Sequence, residues 1–284
     1  MLGGDQREKY LLKELASIEE YSLTVLADTN FYQHDNVVYV RTLKAAMKDK
    51  QVVIAPMSGT DSKGFIKSTY TEKPVKLTGN AFKTVTEGTL FFIGIARERL
   101  KQIVKGKEIQ LIELARRDDT AILNAIPTAE GAIKIAVAET PFTIHGTSTL
   151  ILGLGRVGMT LGWRLKMLGA KVYAATRSSA PAARGRDLGI KMLAYNELDS
   201  YLPQMELVFN TVPAKILTAE YIQHLPASCV IIDLASSPGG TDFSAAEERG
   251  LKALLAPGLP GKTAPRTAGK IMADIIPGLI EEKL

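Results

Sequence analysis

Three glycines carry the first chemical signal. Gly153, Gly155 and Gly158 lie in the run LILGLGRVGMTLG, spaced G-x-G-x-x-G after an apolar stretch and at the start of an amphipathic one. In a strand-to-helix turn the first glycine permits the tight reversal, the second lets a pyrophosphate approach the backbone, and the third lets the helix lie close to the strand. The helix start adds free N–H groups and a positive dipole end. The loop Gly153, Leu154, Gly155, Arg156, Val157, Gly158 therefore reads as a cradle for a dinucleotide rather than as turn punctuation.

Arg177 lies 19 residues beyond Gly158. That is close to the spacing of about 20 at which an acidic residue binds the ribose 2′-hydroxyl of NAD. The stretch KVYAATRSS instead offers Thr176, Arg177, Ser178 and Ser179, a cation and hydroxyl donors suited to a 2′-phosphate. The implied cofactor is NADP; an arginine merely solvated on a loop is the alternative. Two further loops, Asn210, Thr211, Val212, Pro213 and Asp233, Ala235, Ser236, end apolar runs, as does Pro257–Gly258. Ligands bind at the carboxyl ends of parallel strands, so these residues are expected on the nicotinamide side. The Pro- and Gly-rich run Ala256 to Gly269, carrying Lys262 and Arg266, is expected to be a stiff wall of the site with special backbone angles.

Such loops need a parallel sheet to present them. From Ser148 onward, short apolar runs (STLIL, KVYAA, ELVFN, CVIIDLA, LKALLAP) alternate with helical or turn-rich pieces, the rhythm of strands covered by helices. Val157, Leu161, Leu165 and Leu168 form an apolar stripe that Gly169 ends. The N-terminal part repeats the rhythm more weakly, with YSLTVLA, QVVIAPM, TLFFIGIA and EIQLIELA as strands. The expected architecture is α/β, two doubly wound parallel-sheet domains, the C-terminal one a Rossmann dinucleotide-binding domain. Its boundaries are residues 1–127 for an N-terminal substrate domain, 128–140 for a connecting helix capped by Thr128, and 141–284 for the Rossmann domain. The final helix, 267–284, is a candidate to pack back on the N-terminal domain.

Composition narrows the function classes. The chain of 284 residues has a net charge of +5, but its lysines and arginines are interleaved with acids, which argues against nucleic acid and suits a small anionic ligand. No apolar run reaches the roughly 18 residues of a membrane span. The N-terminus also lacks a leader pattern, so a cytoplasmic protein is expected. The single Cys229 opens an apolar run and reads as a buried thiol. His34, His145 and His224 lie without metal-ligand spacing, so no metal is expected.

The motifs GGDQR (Gly3 to Arg7), RRDD (Arg116 to Asp119), NAIPTAEG, TIHG, LGLGRVGMT, DLASSPGGTDF and LAPGLPGKTAPRTAG closely resemble those of dipicolinate synthase A subunits over nearly the whole chain. The Rossmann half is also similar to that of alanine and D-2-hydroxyacid dehydrogenases. The resemblance implies an NADP-linked oxidation of dihydrodipicolinate to dipicolinate in the mother cell of a sporulating bacterium, and it implies as partner a smaller flavoprotein-like B subunit. Self-association is a further expectation. One departure stands out: an apolar strand normally leads into the GGD turn, whereas only Met1 and Leu2 precede it here. Either the first strand is shortened or the start lies upstream, which puts the geometry of Asp5 and Arg7 in question.

A dicarboxylate substrate needs cations at two points, and Arg7, Arg117, Lys262 and Arg266 are the candidates, Arg116 being inseparable from Arg117. Loss of a ring proton calls for a base, for which Asp5, Asp118, Asp119, Glu130 and His145 all qualify by type. Competing functions are an NADP-dependent keto-acid or hydroxy-acid dehydrogenase and a non-catalytic NADP-binding regulatory subunit.

Overall fold

A computed structural model describes all 284 residues, and they divide into two compact units, Met1–Asn124 with Ala264–Leu284, and Ala125–Thr263. The first unit begins with helix α1 (Gln6–Ala16), followed by β1 (Leu23–Leu26), β2 (Val37–Val40), α2 (Leu43–Met47) and β3 (Val52–Ile54). A short antiparallel hairpin, β4 (Phe65–Ile66) and β5 (Val75–Lys76), precedes β6 (Thr89–Ile93), α3 (Glu98–Val104) and β7 (Ile109–Glu113). β1 pairs with β2, and β3, β6 and β7 form a second parallel set.

Met1 and Leu2 join these two sets. The Leu2 N–H donates to Ile54 O at 2.8 Å and the Met1 carbonyl accepts from Leu26 N–H at 2.9 Å, so two residues fill a strand position between β1 and β3. Leu2 has no solvent exposure. The chain then turns through Gly3 (φ 65°) and Gly4 (φ 123°), and a Cβ on Gly4 would stand 2.4 Å from the Glu8 side chain. Glycine is required there because a buried carboxylate occupies the space.

Helix α4 (Asp118–Glu139) follows and runs 22 residues without interruption. The helix expected to start at Thr128 thus begins at Asp118, and the division between units falls inside it, between Asn124 and Ala125. Thr128 thus lies inside the helix instead of capping it, Pro127 is accommodated within it, and the acids Asp118 and Asp119 favour the true N-terminal turn. By length and hydropathy α4 could cross a membrane, but Ala125, Ala129, Ala132 and Ala136 are buried in the protein core.

The second unit continues with β8 (Ser148–Leu152), α5 (Arg156–Met167), β9 (Lys171–Ala175), α6 (Ser179–Asp187), β10 (Lys191–Leu193) and α7 (Leu198–Tyr201). Then come β11 (Leu207–Asn210), α8 (Ala219–Ile222), β12 (Val230–Asp233), α9 (Phe243–Glu248), β13 (Lys252–Leu255) and α10 (Leu259–Thr263). All six strands are parallel, in the order β10-β9-β8-β11-β12-β13. The order reverses between β8 and β11, which is where an open α/β sheet binds its ligand. Side chains of the two sheet faces form separate cores, Ile151, Phe209 and Ile232 on one side and Leu150, Val208 and Ile231 on the other. On α5 the packed stripe is Leu161 and Leu165 with Gly158 and Gly162, whereas Leu168 caps the helix and is exposed. Gly162 is small because Ile190 and Ile151 press against it. Cys229 is 1% exposed, and burial, with the Glu206 charge added, pushes its thiol up to about 12.

The final helix α11 (Pro265–Lys283) belongs to the first unit, where Gly269 lets it approach the backbone of Arg7 and Leu11 on α1. The run Ala256 to Gly269 is mostly helical, with only Gly258 at positive φ (70°). The expectation of many special backbone angles is therefore corrected: Pro260 and Pro265 sit in first turns, where a proline's missing N–H has no partner to lose.

Glu8 makes the N-terminal turn sensitive to pH. It is 2% exposed and accepts from Asp5 N–H at 2.7 Å and Met57 N–H at 2.8 Å. Burial, opposed by Arg7 and reinforced by Asp5, pushes its carboxyl up to about 7 from 4.5. The folded chain thus holds the Glu8 proton more tightly than the unfolded one, so this stabilisation is complete below pH 4.5 and is lost as pH rises through 7. The unfolding free-energy difference between wild type and Glu8→Gln, from urea titrations across this range, is expected to shift against wild type by about 3 kcal/mol. A difference independent of pH would contradict this assignment.

Candidate dinucleotide site

The glycine turn sits at the carboxyl end of β8. Gly153 adopts φ 90°, a left-handed conformation closed to most side chains, and a Cβ there would meet Thr211 Oγ1 and Val212 Cγ2 at 2.6 Å. Gly158 lies under the helix start, where a Cβ would stand 2.0 Å from Gly153 O. Gly155, the N-cap of α5, differs: it is exposed and nothing lies within 4 Å of a Cβ position. Two glycines thus serve packing and the third leaves open space beside uncapped helix N–H groups, which fits the approach of a pyrophosphate. Arg156 is exposed, Val157 half-buried and Leu154 buried.

The loops after β11 and β12 are tied to this turn and to each other. Thr211 Oγ1 lies 3.1 Å from both Leu152 O and Gly153 O, and its hydroxyl donates to this pair of carbonyls. Asn210 is buried, its Nδ2 donating to Val212 O at 3.1 Å and to Asp233 Oδ2 at 3.0 Å, while its Oδ1 accepts from Val212 N–H at 3.0 Å. Asp233 is also buried and accepts from Ala235 N–H at 2.9 Å, Gly240 N–H at 2.8 Å and Thr241 Oγ1 at 2.7 Å. The polar groups of Asn210 and Asp233 therefore shape the loops, leaving Pro213 and Ser236, both exposed, at their surface. The Ser237–Pro238 peptide is cis. Pro257 and Gly258 follow β13 at the same carboxyl edge, and Lys262 is exposed on α10 beyond them.

At the end of β9, Thr176 Oγ1 accepts from Ser178 N–H at 3.4 Å. Arg177 is exposed and its guanidinium stands over the Tyr195 ring. Ser178 is the N-cap of α6 but makes no side-chain capping bond, and Ser179 opens the helix.

The catalytic and substrate candidates are sorted by their partners. Asp5 caps α1 in a box with Glu8, and it binds Arg7 through both carboxylate oxygens, at 2.9 Å from Nε and 2.7 Å from Nη2. Burial raises the Asp5 carboxyl, but the Arg7 hydrogen bonds and charge outweigh it and hold the group below its ordinary range. Arg117 and Asp119 form a similar pair at 2.7 Å, with the Arg117 hydrogen bond lowering Asp119. Arg116 pairs instead with Glu113 at 3.2 Å. Glu130 is exposed on α4, 3.9 Å from Arg164. His145 precedes the amino end of β8 and packs against Gly169, at the opposite edge of the sheet from the glycine turn. Asp118 and Arg266 are exposed in the first turns of α4 and α11.

A cavity of about 460 Å³ in the first unit is lined by Gly4, Asp5, Ser58, Lys67, Ser68 and Thr69. Sequence reasoning misses Lys67, Ser68 and Thr69; the density of small and hydroxylated residues between Ser58 and Thr71 is the available signal.

Adding a methyl at Gly158 forces α5 away from β8. Gly158→Ala is expected to weaken NADPH and NADH alike, by roughly tenfold or more, and to lower stability by about 1–3 kcal/mol. Titration of both nucleotides and a urea unfolding curve check this; unchanged affinity would remove the helix start from the site.

Comparison with known proteins agrees with this division. Residues 1–115 match the N-terminal domain of the dipicolinate synthase A subunit, and residues 126–238 match the NAD binding domain of D-isomer specific 2-hydroxyacid dehydrogenases. The chain is 35% identical to the dipicolinate synthase A subunit of Bacillus subtilis (strain 168), over 99% of this chain and 95% of that protein. It superposes on the crystal structure of the dipicolinate synthase A subunit from Bacillus halodurans with a TM-score of 0.91 at 36% identity, covering 98% of this chain and 96% of the other. An L-alanine dehydrogenase shares the fold alone, with a TM-score of 0.65 at 12% identity, covering 99% of this chain and 89% of the other. The second unit is thus a Rossmann-type nicotinamide dinucleotide-binding domain. Since the likeness to the A-subunit proteins runs through both units and not through the dinucleotide half alone, the chain belongs to the dipicolinate synthase A-subunit family.

Proposed function

We propose that this chain is an NADP-linked oxidoreductase that converts dihydrodipicolinate to dipicolinate, working with a B subunit in the cytoplasm of a sporulating mother cell. Whole-length likeness to the dipicolinate synthase A subunit supports the substrate. The cofactor choice rests on one observation: the end of β9 carries an exposed arginine and the uncapped start of α6 where an NAD enzyme would carry an acid.

When bound, the dinucleotide supplies a hydride acceptor. Gly155 and the first turn of α5 would hold its pyrophosphate, and Arg177, Ser178 and Ser179 its 2′-phosphate. The pinned loops after β11 and β12 would wall the nicotinamide end. The substrate loses one hydride and one proton, and the gain of aromaticity drives the change. A carboxylate or a water molecule accepts the proton. Asp5 and Asp119 are poor bases, because arginine hydrogen bonds hold both carboxyls below their ordinary range and so lower their proton affinity.

Among the candidate anchors, Lys262 has the strongest case. Arg7 and Arg117 are each neutralised by a carboxylate, whereas Lys262 and Arg266 form no ion pair, and of these two only Lys262 lies in the dinucleotide-binding unit, following β13 at the sheet's carboxyl edge. Lys262→Met is expected to raise the KM for substrate while leaving NADPH affinity nearly unchanged. Unchanged kcat/KM would exclude Lys262, and lost NADPH affinity would reassign it to the cofactor.

The decisive assay is spectrophotometric: formation of NADPH from NADP and dihydrodipicolinate, with and without a B subunit. Turnover of pyruvate or glyoxylate instead would favour a keto-acid reductase, a reading that the 2-hydroxyacid dehydrogenase match of residues 126–238 keeps in play. Binding without turnover under any condition would favour a purely regulatory role. Arg177→Ala is expected to weaken NADP roughly ten- to a hundredfold, since a hydrogen bond to a charged group contributes about 1.5–3 kcal/mol, and to leave NAD unchanged. Equal loss for both cofactors would overturn the NADP assignment.

A further inference from the structure

We infer that Tyr195 is a positioning residue for cofactor selection: its ring holds Arg177 in place to receive the 2′-phosphate. This inference rests on the NADP reading above. The guanidinium carbon of Arg177 lies 5.8 Å from the centre of the Tyr195 ring. The two residues leave neighbouring strands at the same edge of the sheet, Arg177 after β9 and Tyr195 in the turn Tyr195–Glu197 after β10.

The chemistry of the partner matters. A carboxylate would orient an arginine by occupying its N–H donors and cancelling its charge. An aromatic face orients it through the flat side of the guanidinium and leaves the edge donors and the full charge available. Arg177 has no carboxylate within ion-pair distance, and the ring is its only contact of this kind. The other arginine in the unit with a ring contact, Arg164 over Trp163, differs in donating to Thr160 O and facing Glu130.

Tyr195 is suited to act as a fixed platform. It packs against the core of Leu193, Leu198 and Leu202, and its carbonyl accepts from the Tyr221 hydroxyl at 3.3 Å. Burial raises its phenol above the ordinary range, against the pull of Arg177, so the ring is neutral across the working pH range. A long exposed side chain thereby meets a ligand already partly ordered, which lowers the entropic cost of gripping a phosphate.

The test uses dissociation constants for NADPH and NADH, titrated at one ionic strength on the purified chain, with urea midpoints measured alongside. Tyr195→Leu is expected to weaken NADPH roughly two- to fivefold, the range of an exposed cation–π contact, and to leave NADH unchanged. Tyr195→Phe should restore near wild-type affinity, because the ring face and not the hydroxyl makes the contact. In an Arg177→Ala background, Tyr195→Leu should have no further effect on NADPH. Equal weakening of both nucleotides, or weakening of neither, would overturn the role of Tyr195, as would a full additional loss in the Arg177→Ala background. Failure of Arg177→Ala itself to discriminate the nucleotides would be the separate failure of the NADP reading, and would take this inference with it.

Discussion

A carboxylate without solvent exposure stands at the end of β12, and the shape of the cofactor-facing edge depends on it. Burying a carboxyl group is costly unless donors meet its oxygens. Asp233 Oδ2 accepts from Asn210, Gly240 and Thr241, and its Oδ1 accepts from Ala235. These bonds fold the loop after β12 back onto the end of β11. Asn210 then fixes Val212, and the neighbouring Thr211 reaches the carbonyls of Leu152 and Gly153. Bonds thus run without a gap from β12 to the glycine turn of β8. The loops at the switch point of the sheet are thus tied together by hydrogen bonds within the chain.

Much of the second unit is legible in the sequence because its signals are local. The glycine spacing, the strand runs and the arginine after β9 each follow from neighbouring residues, and the structure places them as alternation and spacing require. What escapes are features set by distant partners. Nothing in FNTVP or DLASSPGG shows that the Asn210 and Asp233 side chains bond to each other across two strands. Leu168 fits an apolar stripe by spacing, yet the stripe actually buried uses Gly158 and Gly162, whose role is to admit neighbours. Thr128 has the residue type of a helix cap, yet the helix begins ten residues earlier at Asp118.

The cations show the same limit. Arg7, Arg117 and Lys262 are equivalent by residue type, but two of them carry a carboxylate two positions away, on the same chain segment, and the third does not. Asp5 and Asp119 stand beside their arginines in the sequence; what the sequence does not print is that each side chain turns back to its neighbour instead of outward. Glu8 is invisible as a titrating group for a related reason. Its burial comes from the Gly3–Gly4 turn and from Met57, far away in the chain.

The buried thiol of Cys229 has a practical consequence. Burial hides the sulfur, which is 1% exposed, and pushes its proton affinity up to about 12, whereas alkylating reagents attack an accessible thiolate. The native chain is accordingly silent toward thiol-directed dyes and spin labels while it remains folded. A cysteine introduced at an exposed site such as Ser236 or Ala183 would be the sole reactive handle. Distances and loop motions can therefore be followed by site-specific labelling without first removing the natural cysteine and disturbing the core it helps to fill.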